Sequence, residues 1–289
     1  MGAGADVERD LLPLADALDA HRFGGKAAQL GALIRAGLPV PDGFGLDVGL
    51  VDRVAAGDRG ASARCLEALE RLGLPVAVRS SAVGEDSASA SFAGQHLTRL
   101  AVATRAAVIE AIAEVRASGN AAGALAYRAH LGLAAEPRMG VVVQRMVDGE
   151  CAGVMFTRCP LTGDDVRVIE AAWGLGESVV GGLCVPDRYR VARGGRVLER
   201  SIGEKEVAVR ARPDGMTTEV DVLARDRARA CLDEGHLLAL DALARRCESL
   251  FDGSAAHDLE WAFANRELFL LQRRAVTRSS CSRGAAHSS

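Results

Sequence analysis

The chain has 289 residues, enough for one large domain or two lobes with substantial cores. A hydrophobic fraction of 49%, a charged fraction of 25% and a net charge of −3 give an ordinary globular balance, without the basic surplus of a nucleic-acid-binding surface. No apolar run approaches the ~20 residues of a membrane-spanning helix, and the first ten residues lack the basic and apolar segments of a secretory leader. No nucleic-acid partner, no membrane partner and a cytoplasmic location are the expectations.

In chain order, Leu30, Leu33 and Ile34 recur at helical spacing, predicting a short helix over 26–36 that Gly37 and Pro39 end. Val76–Val78 reads as a buried strand, followed from Arg79 to Gln95 by a loop of small and polar residues. Val108, Ile109, Ile112 and Val115 mark an amphipathic helix, and a second helix is expected over 124–131. The pattern then changes to short β-type runs at 141–143, 154–156, 166–169, 188–192 and 196–199, with a helix inside 174–182. A long helix fits 236–251, with Leu237, Leu240, Leu243, Cys247 and Leu250 on one face. The last elements form a hairpin, 258–263 and 268–273, and the Ser-rich stretch 278–289 reads as a disordered tail. Seven cysteines at irregular spacing, with no C-x-x-C pair, read as free thiols in a reducing compartment.

Several stretches carry candidate chemistry. Gly24-Gly25-Lys26 stands at a helix start, where backbone N–H groups favour anions and a lysine adds a charge for phosphate. Arg79 ends a strand and opens a loop, through Ser91 to Gln95, of the kind that folds over phosphates. Gln144 to Val147 is a strand end able to hold a planar base between apolar groups. Glu170, ahead of Trp173-Gly174-Leu175-Gly176-Glu177, reaches a glycine-rich strand-to-helix turn. In the final hairpin, alternation puts Asp258 and Glu260 on one face. A turn at 265–267 would pair Ala264 with Leu268, Glu260 with Gln272 and Asp258 with Arg274. A carboxylate beside an amide oxygen is a hard-oxygen pair of the kind Mg²⁺ accepts. Taken singly, each stretch has a plain alternative: a turn, a surface loop, a strand end, a surface cross-strand pair.

Taken together and in this order, they resemble the N-terminal ATP-binding domain shared by phosphoenolpyruvate synthase, pyruvate phosphate dikinase and rifampicin phosphotransferase. The match runs through Gly24-Gly25-Lys26, Ala36 to Phe44, Val78 to Ala82, Ser91 to Gln95, Val142 to Gln144, Gly153 to Phe156 and the Trp173 stretch, and ends at Leu259-Glu260-Trp261 and Leu271-Gln272. The resemblance implies an α+β, two-lobed ATP-grasp fold, with lobes over 1–143 and 144–277 and the nucleotide in the cleft between them. It implies ATP and Mg²⁺ as ligands. Lys26 and Arg79 take the place of the phosphate-binding pair, Gly94 and Thr98 that of the phosphate loop. Gln144, Met146 and Val147 stand where adenine is held, Glu260 and Gln272 where magnesium is held, and Arg274 beside the transferred phosphates. Lys26, Arg79 and Arg274 are thereby the expected catalytic residues.

The sequence departs from the family pattern in three ways. The segment between Phe44 and Val76 is shorter than usual, Ala27 replaces a third glycine, and no histidine stands in the family's phosphohistidine motif. The expected function is therefore a stand-alone, kinase-like phosphotransferase. Its acceptor would be a small molecule or a separate histidine-bearing carrier protein. An ATP-grasp ligase working through an acyl phosphate and a non-catalytic nucleotide-binding subunit are the alternatives.

Overall fold

The computed structural model describes residues 9–84, 97–121, 137–251 and 255–276. Gly94, the helix expected over 124–131 and the tail 278–289 lie outside them.

The first antiparallel sheet has the order β1-β2-β5-β3-β4, formed by Leu11–Pro13 (β1), Gly43–Leu46 (β2), Val76–Ala82 (β3), Thr98–Val102 (β4) and Met139–Arg145 (β5). Its central strand shows the period of two directly. Val141 and Val143 join a core built from Val48–Ala55 (α3), Arg59–Leu72 (α4) and Arg105–Ser118 (α5), while Val142 joins the core on the opposite face. That second face carries a single turn, Ala20–Phe23 (α1), and then Gly25–Arg35 (α2), which buries Ala27, Leu30 and Leu33. The helix predicted over 26–36 is thus present. The segment between Phe44 and Val76 is filled by α3 and α4, whose N-termini are capped by the side chains of Asp47 and Asp58.

β3 is longer than its apolar start implies. It runs on through Arg79, Ser80, Ser81 and Ala82, all buried, where the sequence reading placed a loop. Tertiary hydrogen bonds make this tolerable: the Ser80 carbonyl accepts from Lys26 Nζ at 2.9 Å, and Ser81 Oγ accepts from the Ala27 N–H at 2.9 Å.

The second sheet has the order β13-β12-β6-β7-β8-β9. Its strands are Cys151–Phe156 (β6), Val166–Trp173 (β7), Asp187–Ala192 (β8), Val197–Ser201 (β9), Ala256–Ala264 (β12) and Glu267–Val276 (β13). Between β7 and β8 stands the short helix Glu177–Val180 (α6). A separate hairpin pairs Val207–Ala211 (β10) with Thr217–Asp221 (β11), and Ala224–Arg227 (α7) is one turn. The long helix Glu234–Leu250 (α8) buries Leu237, Leu240, Leu243, Ala244 and Cys247. Leu250, expected on that stripe, closes the helix and is exposed. The same side of α8 also carries two acids. Arg167, fully buried on β7, donates to Asp241 at 3.0 Å, to Glu248 at 2.7 Å and to the Thr157 carbonyl at 2.6 Å. This cluster joins helix to sheet by charge as well as by packing.

The final hairpin corrects the sequence reading in an instructive way. Its turn is two residues, Asn265 and Arg266, both at positive φ, so Ala264 pairs with Glu267 and not with Leu268. A bulge at Leu271 then inserts one residue between the Trp261–Leu270 and Glu260–Gln272 pairs. The two one-residue differences cancel, so Glu260 does face Gln272, and Asp258 faces Arg274.

Among the described residues all six cysteines are free thiols, and no helix is long and apolar enough to cross a membrane. Mixed helices and antiparallel sheets make the fold α+β, of the ATP-grasp type that the resemblance implies.

Candidate functional site

A cavity of about 660 Å³ lies between the two sheets, its walls drawn from both. Lys26, Arg79, Thr98 and Gln144 reach it from the first sheet and α2; Met146 and Val147 reach it from the connection after β5; Glu260, Gln272 and Arg274 reach it from β12 and β13. The nine described residues to which the resemblance gives a nucleotide, metal or catalytic role therefore share one cleft. Gly94 is outside the described residues.

Each cation is placed by local structure. Gly24 has φ +83° and packs so tightly on β3 that a Cβ there would lie 1.8 Å from the Ser81 carbonyl oxygen. This glycine brings the start of α2 against β3 and holds Lys26 in the cleft wall, 5% exposed. The Ala27 N–H is spent on Ser81 Oγ, so the helix start seats the lysine and does not present that donor to a phosphate. Arg79 is buried on β3 and bridges the two sheets. Its Nη1 donates to the Leu271 carbonyl at 2.7 Å and to Gln144 Oε1 at 3.3 Å, and its Nη2 donates to Gln272 Oε1 at 3.0 Å. The bulge at Leu271 is what turns that carbonyl toward the arginine. Gln144 also donates from Nε2 to the Pro41 carbonyl at 2.9 Å, so its amide braces Arg79 from the first sheet.

Glu260 and Gln272 form a carboxylate and an amide across adjacent strands. Among the described residues no group of three His, Cys, Asp or Glu side chains is arranged for a metal. Two hard oxygen donors fit Mg²⁺ when phosphate oxygens and water complete its octahedron. The buried Gln272 Nε2 has no hydrogen-bond partner, an open polar position in the cleft wall. Beside them, burial and the neighbouring Glu260 charge push the Asp258 carboxyl up to about 6, against the opposing pull of Arg274.

Other cleft residues were not anticipated. The β10–β11 hairpin contributes Val209, Thr217, Thr218 and Glu219, and α6 contributes Glu177, whose carboxyl is shifted upward by burial. The sequence did hold a sign of this hairpin: two alternating stretches on either side of Pro213-Asp214-Gly215, a strong turn signal. The glycine-rich stretch after β7 has a structural task. Gly174, at φ +83°, forms a bridge to Val209, and the Leu175 N–H donates to the Val209 carbonyl, seating β10 against the cleft. Glu170 shares a sheet face with Val154 and Glu260 but is not among the residues lining the cavity; it pairs with its cross-strand neighbour Arg188 at 3.0 Å.

The family model of the pyruvate phosphate dikinase AMP/ATP-binding domain matches residues 59–288. The chain is 34% identical to a probable phosphoenolpyruvate synthase of Methanothermobacter thermautotrophicus, over 88% of the chain and 44% of that protein. It is 34% identical to a rifampicin phosphotransferase of Streptomyces sviceus, over 88% of the chain and 34% of that protein. It is 36% identical to the prodigiosin synthesizing transferase PigC of Serratia marcescens, over 90% of the chain and 32% of that protein. The chain thus spans less than half the length of these relatives. Residues from Arg59 onward match the family model and the alignments to relatives cover nearly nine-tenths of the sequence, so the chain belongs to the pyruvate phosphate dikinase AMP/ATP-binding domain family.

Proposed function

We propose that the chain binds Mg-ATP in the inter-sheet cleft and transfers a phosphoryl group from it. The observation that carries this reading is the convergence of Lys26, Arg79 and Arg274 with Glu260 and Gln272 in the lining of one cavity. Three cations beside a hard-oxygen pair suit a triphosphate with its metal, and such a site works by alignment and charge neutralisation without a protein base. Lys26 and Arg79 hold the phosphate chain, and Arg274 stabilises charge on the transferred group. Thr98 supplies a hydroxyl to the phosphates, and Gly94 a backbone N–H. Met146 and Val147 border the adenine, with Gln144 behind them. Glu260 and Gln272 would hold Mg²⁺, which when bound offsets phosphate charge and fixes the phosphate geometry. The lobes on either side of the cleft are 1–143 and 144–277.

The acceptor is a small molecule or a histidine-bearing carrier protein. The test is phosphorus NMR of purified chain, ATP, Mg²⁺ and candidate acceptors. The expected result is a phosphorylated acceptor together with ADP or AMP. An amide product would establish the ligase chemistry instead, and nucleotide binding without turnover of any acceptor would reduce the chain to a binding module.

A further inference from the structure

Arg79 is one link between the two lobes, and the β10–β11 hairpin is another. Its root is fixed to the second lobe: Gly174 bridges to Val209, the Val209 N–H donates to the buried Ser178 Oγ at 3.0 Å, and Arg210 Nη1 donates to the Gly149 carbonyl at 3.2 Å. Its tip lies against the first lobe. Gly215, at φ +85°, packs so closely on the end of β4 that a Cβ there would stand 3.0 Å from the Ala103 nitrogen and Cβ and 3.3 Å from the Ala101 carbonyl oxygen. Between root and tip the hairpin lines the cavity with Val209, Thr217, Thr218 and Glu219, while Thr98 and Leu100 of β4 line it from the first lobe. Root and tip are held differently. The turn satisfies its own polar groups: the Arg212 N–H donates to the Met216 carbonyl, the Gly215 N–H donates to the Arg212 carbonyl, and the Arg212 side chain pairs with Asp214 at 2.7 Å. Among the described residues no hydrogen bond or ion pair joins residues 212–216 to the first lobe. The tip rests there on van der Waals contact between two of the smallest residues, which buries little apolar area and parts easily. Glycine is what lets it lie so close, since a side chain would collide with Ala103 and strain a left-handed turn. The landing point is also shaped: Ala101 is buried at φ +56°, a conformation unfavourable outside glycine.

We propose that the β10–β11 hairpin is a strap over the nucleotide, which closes by seating Gly215 on Ala103 and lifts at that contact to admit and release nucleotide. This rests on the reading of the cleft as an Mg-ATP site. Apart from the bridge to Gly174, β10 and β11 pair only with each other, so the tip can swing without unzipping either large sheet. The pivot is the root, where Ser178 and Gly149 hold β10. Lifting the tip breaks no hydrogen bond to the first lobe, and the lobes need not part at Arg79. A fixed brace between the lobes would make the same contact, but it would not have to open for nucleotide to exchange.

The test locks the strap. Ala103→Cys combined with Gly215→Cys brings two thiols close to the Cβ separation of a disulfide, about 3.8 Å. Oxidised before nucleotide is added, this chain should take up Mg²⁺ and a radiolabelled non-hydrolysable ATP analogue about tenfold more slowly, or worse, than when reduced. Oxidised after loading, it should release the label about tenfold more slowly, or worse, into a chase of unlabelled analogue. Reduction should restore both rates, which also shows that the locked chain is folded. Ala103→Cys alone, oxidised alike, should change neither rate. Equal rates in the oxidised and reduced double variant overturn the strap and leave a fixed brace. Thiols that fail to pair on oxidation deny the contact and overturn it too. Ala103→Leu leaves the hairpin sequence intact and props its tip away, so release should be about threefold faster or more; release at the rate of the intact chain overturns the strap. The site reading fails separately: if the intact chain takes up no nucleotide, the cleft is not a nucleotide site and the strap falls with it.

Discussion

At the scale of single residues, the site depends on close fits that substitutions expose. Gly24 combines a left-handed backbone with a β3 carbonyl 1.8 Å from where a Cβ would stand. Gly24→Ala must push α2 off β3, breaking the Lys26–Ser80 and Ala27–Ser81 hydrogen bonds. A loss of about 3 kcal/mol is expected in urea unfolding, from backbone strain plus overpacking, together with weaker nucleotide binding. Unchanged stability would mean the turn is not jammed against the strand. Asp258 tests the electrostatics. Its folded carboxyl titrates near 6, above the ordinary value of 3.8, so the folded chain holds this proton more tightly than the unfolded chain does. Its effect on stability is least unfavourable below about pH 4, worsens as pH rises through 6, and is flat above. Asp258→Asn should therefore raise the melting temperature at pH 7.5, by the equivalent of at most ~3 kcal/mol, and change it little near pH 4. An equal change at both pH values would contradict the raised titration.

At the scale of elements, what the sequence revealed depended on where each segment finds its partners. α8 was legible because its stripe from Leu237 to Cys247 buries against one sheet face and repeats at helical spacing. Its acids were not legible as buried, since Asp241 and Glu248 look like solvated positions until Arg167 arrives from β7. The second half of β3 was hidden for the same reason: Arg79, Ser80 and Ser81 read as loop, and only Lys26, Ala27 and β13 make their burial affordable. The Glu260–Gln272 pairing was read correctly through a turn one residue too long, offset by a bulge that periodicity does not reveal. α3 and α4 had visible cap residues in Asp47 and Asp58 that the sequence reading passed over, although α4, at 14 residues, is as long as α5. The buried cluster at α8 gives a test at this scale. Arg167→Ala strands two carboxylates, partly compensated by Arg193 and Arg245, and should cost about 3 kcal/mol or more in urea unfolding. Replacing Arg167, Asp241 and Glu248 together with Met, Leu and Leu should restore most of that loss. If the triple variant is no more stable than Arg167→Ala, the cluster is not an isolated charge-balanced unit.

At the scale of the whole molecule, two antiparallel sheets face each other across one cavity, and Arg79 spans it with hydrogen bonds to both. The cavity joins residues as far apart in sequence as Lys26 and Arg274. Family membership and the composition of this cleft lead to the same account, an Mg-ATP site whose protein groups orient and neutralise phosphate. Isothermal titration of the chain with a non-hydrolysable ATP analogue tests that account most directly. With Mg²⁺ present, one molecule should bind per chain. Omitting the metal, or changing Glu260→Ala with the metal present, should weaken binding tenfold or more, about 1.4 kcal/mol or above. Equal affinity with and without Mg²⁺, and equal affinity in the intact and Glu260→Ala chains, would contradict it.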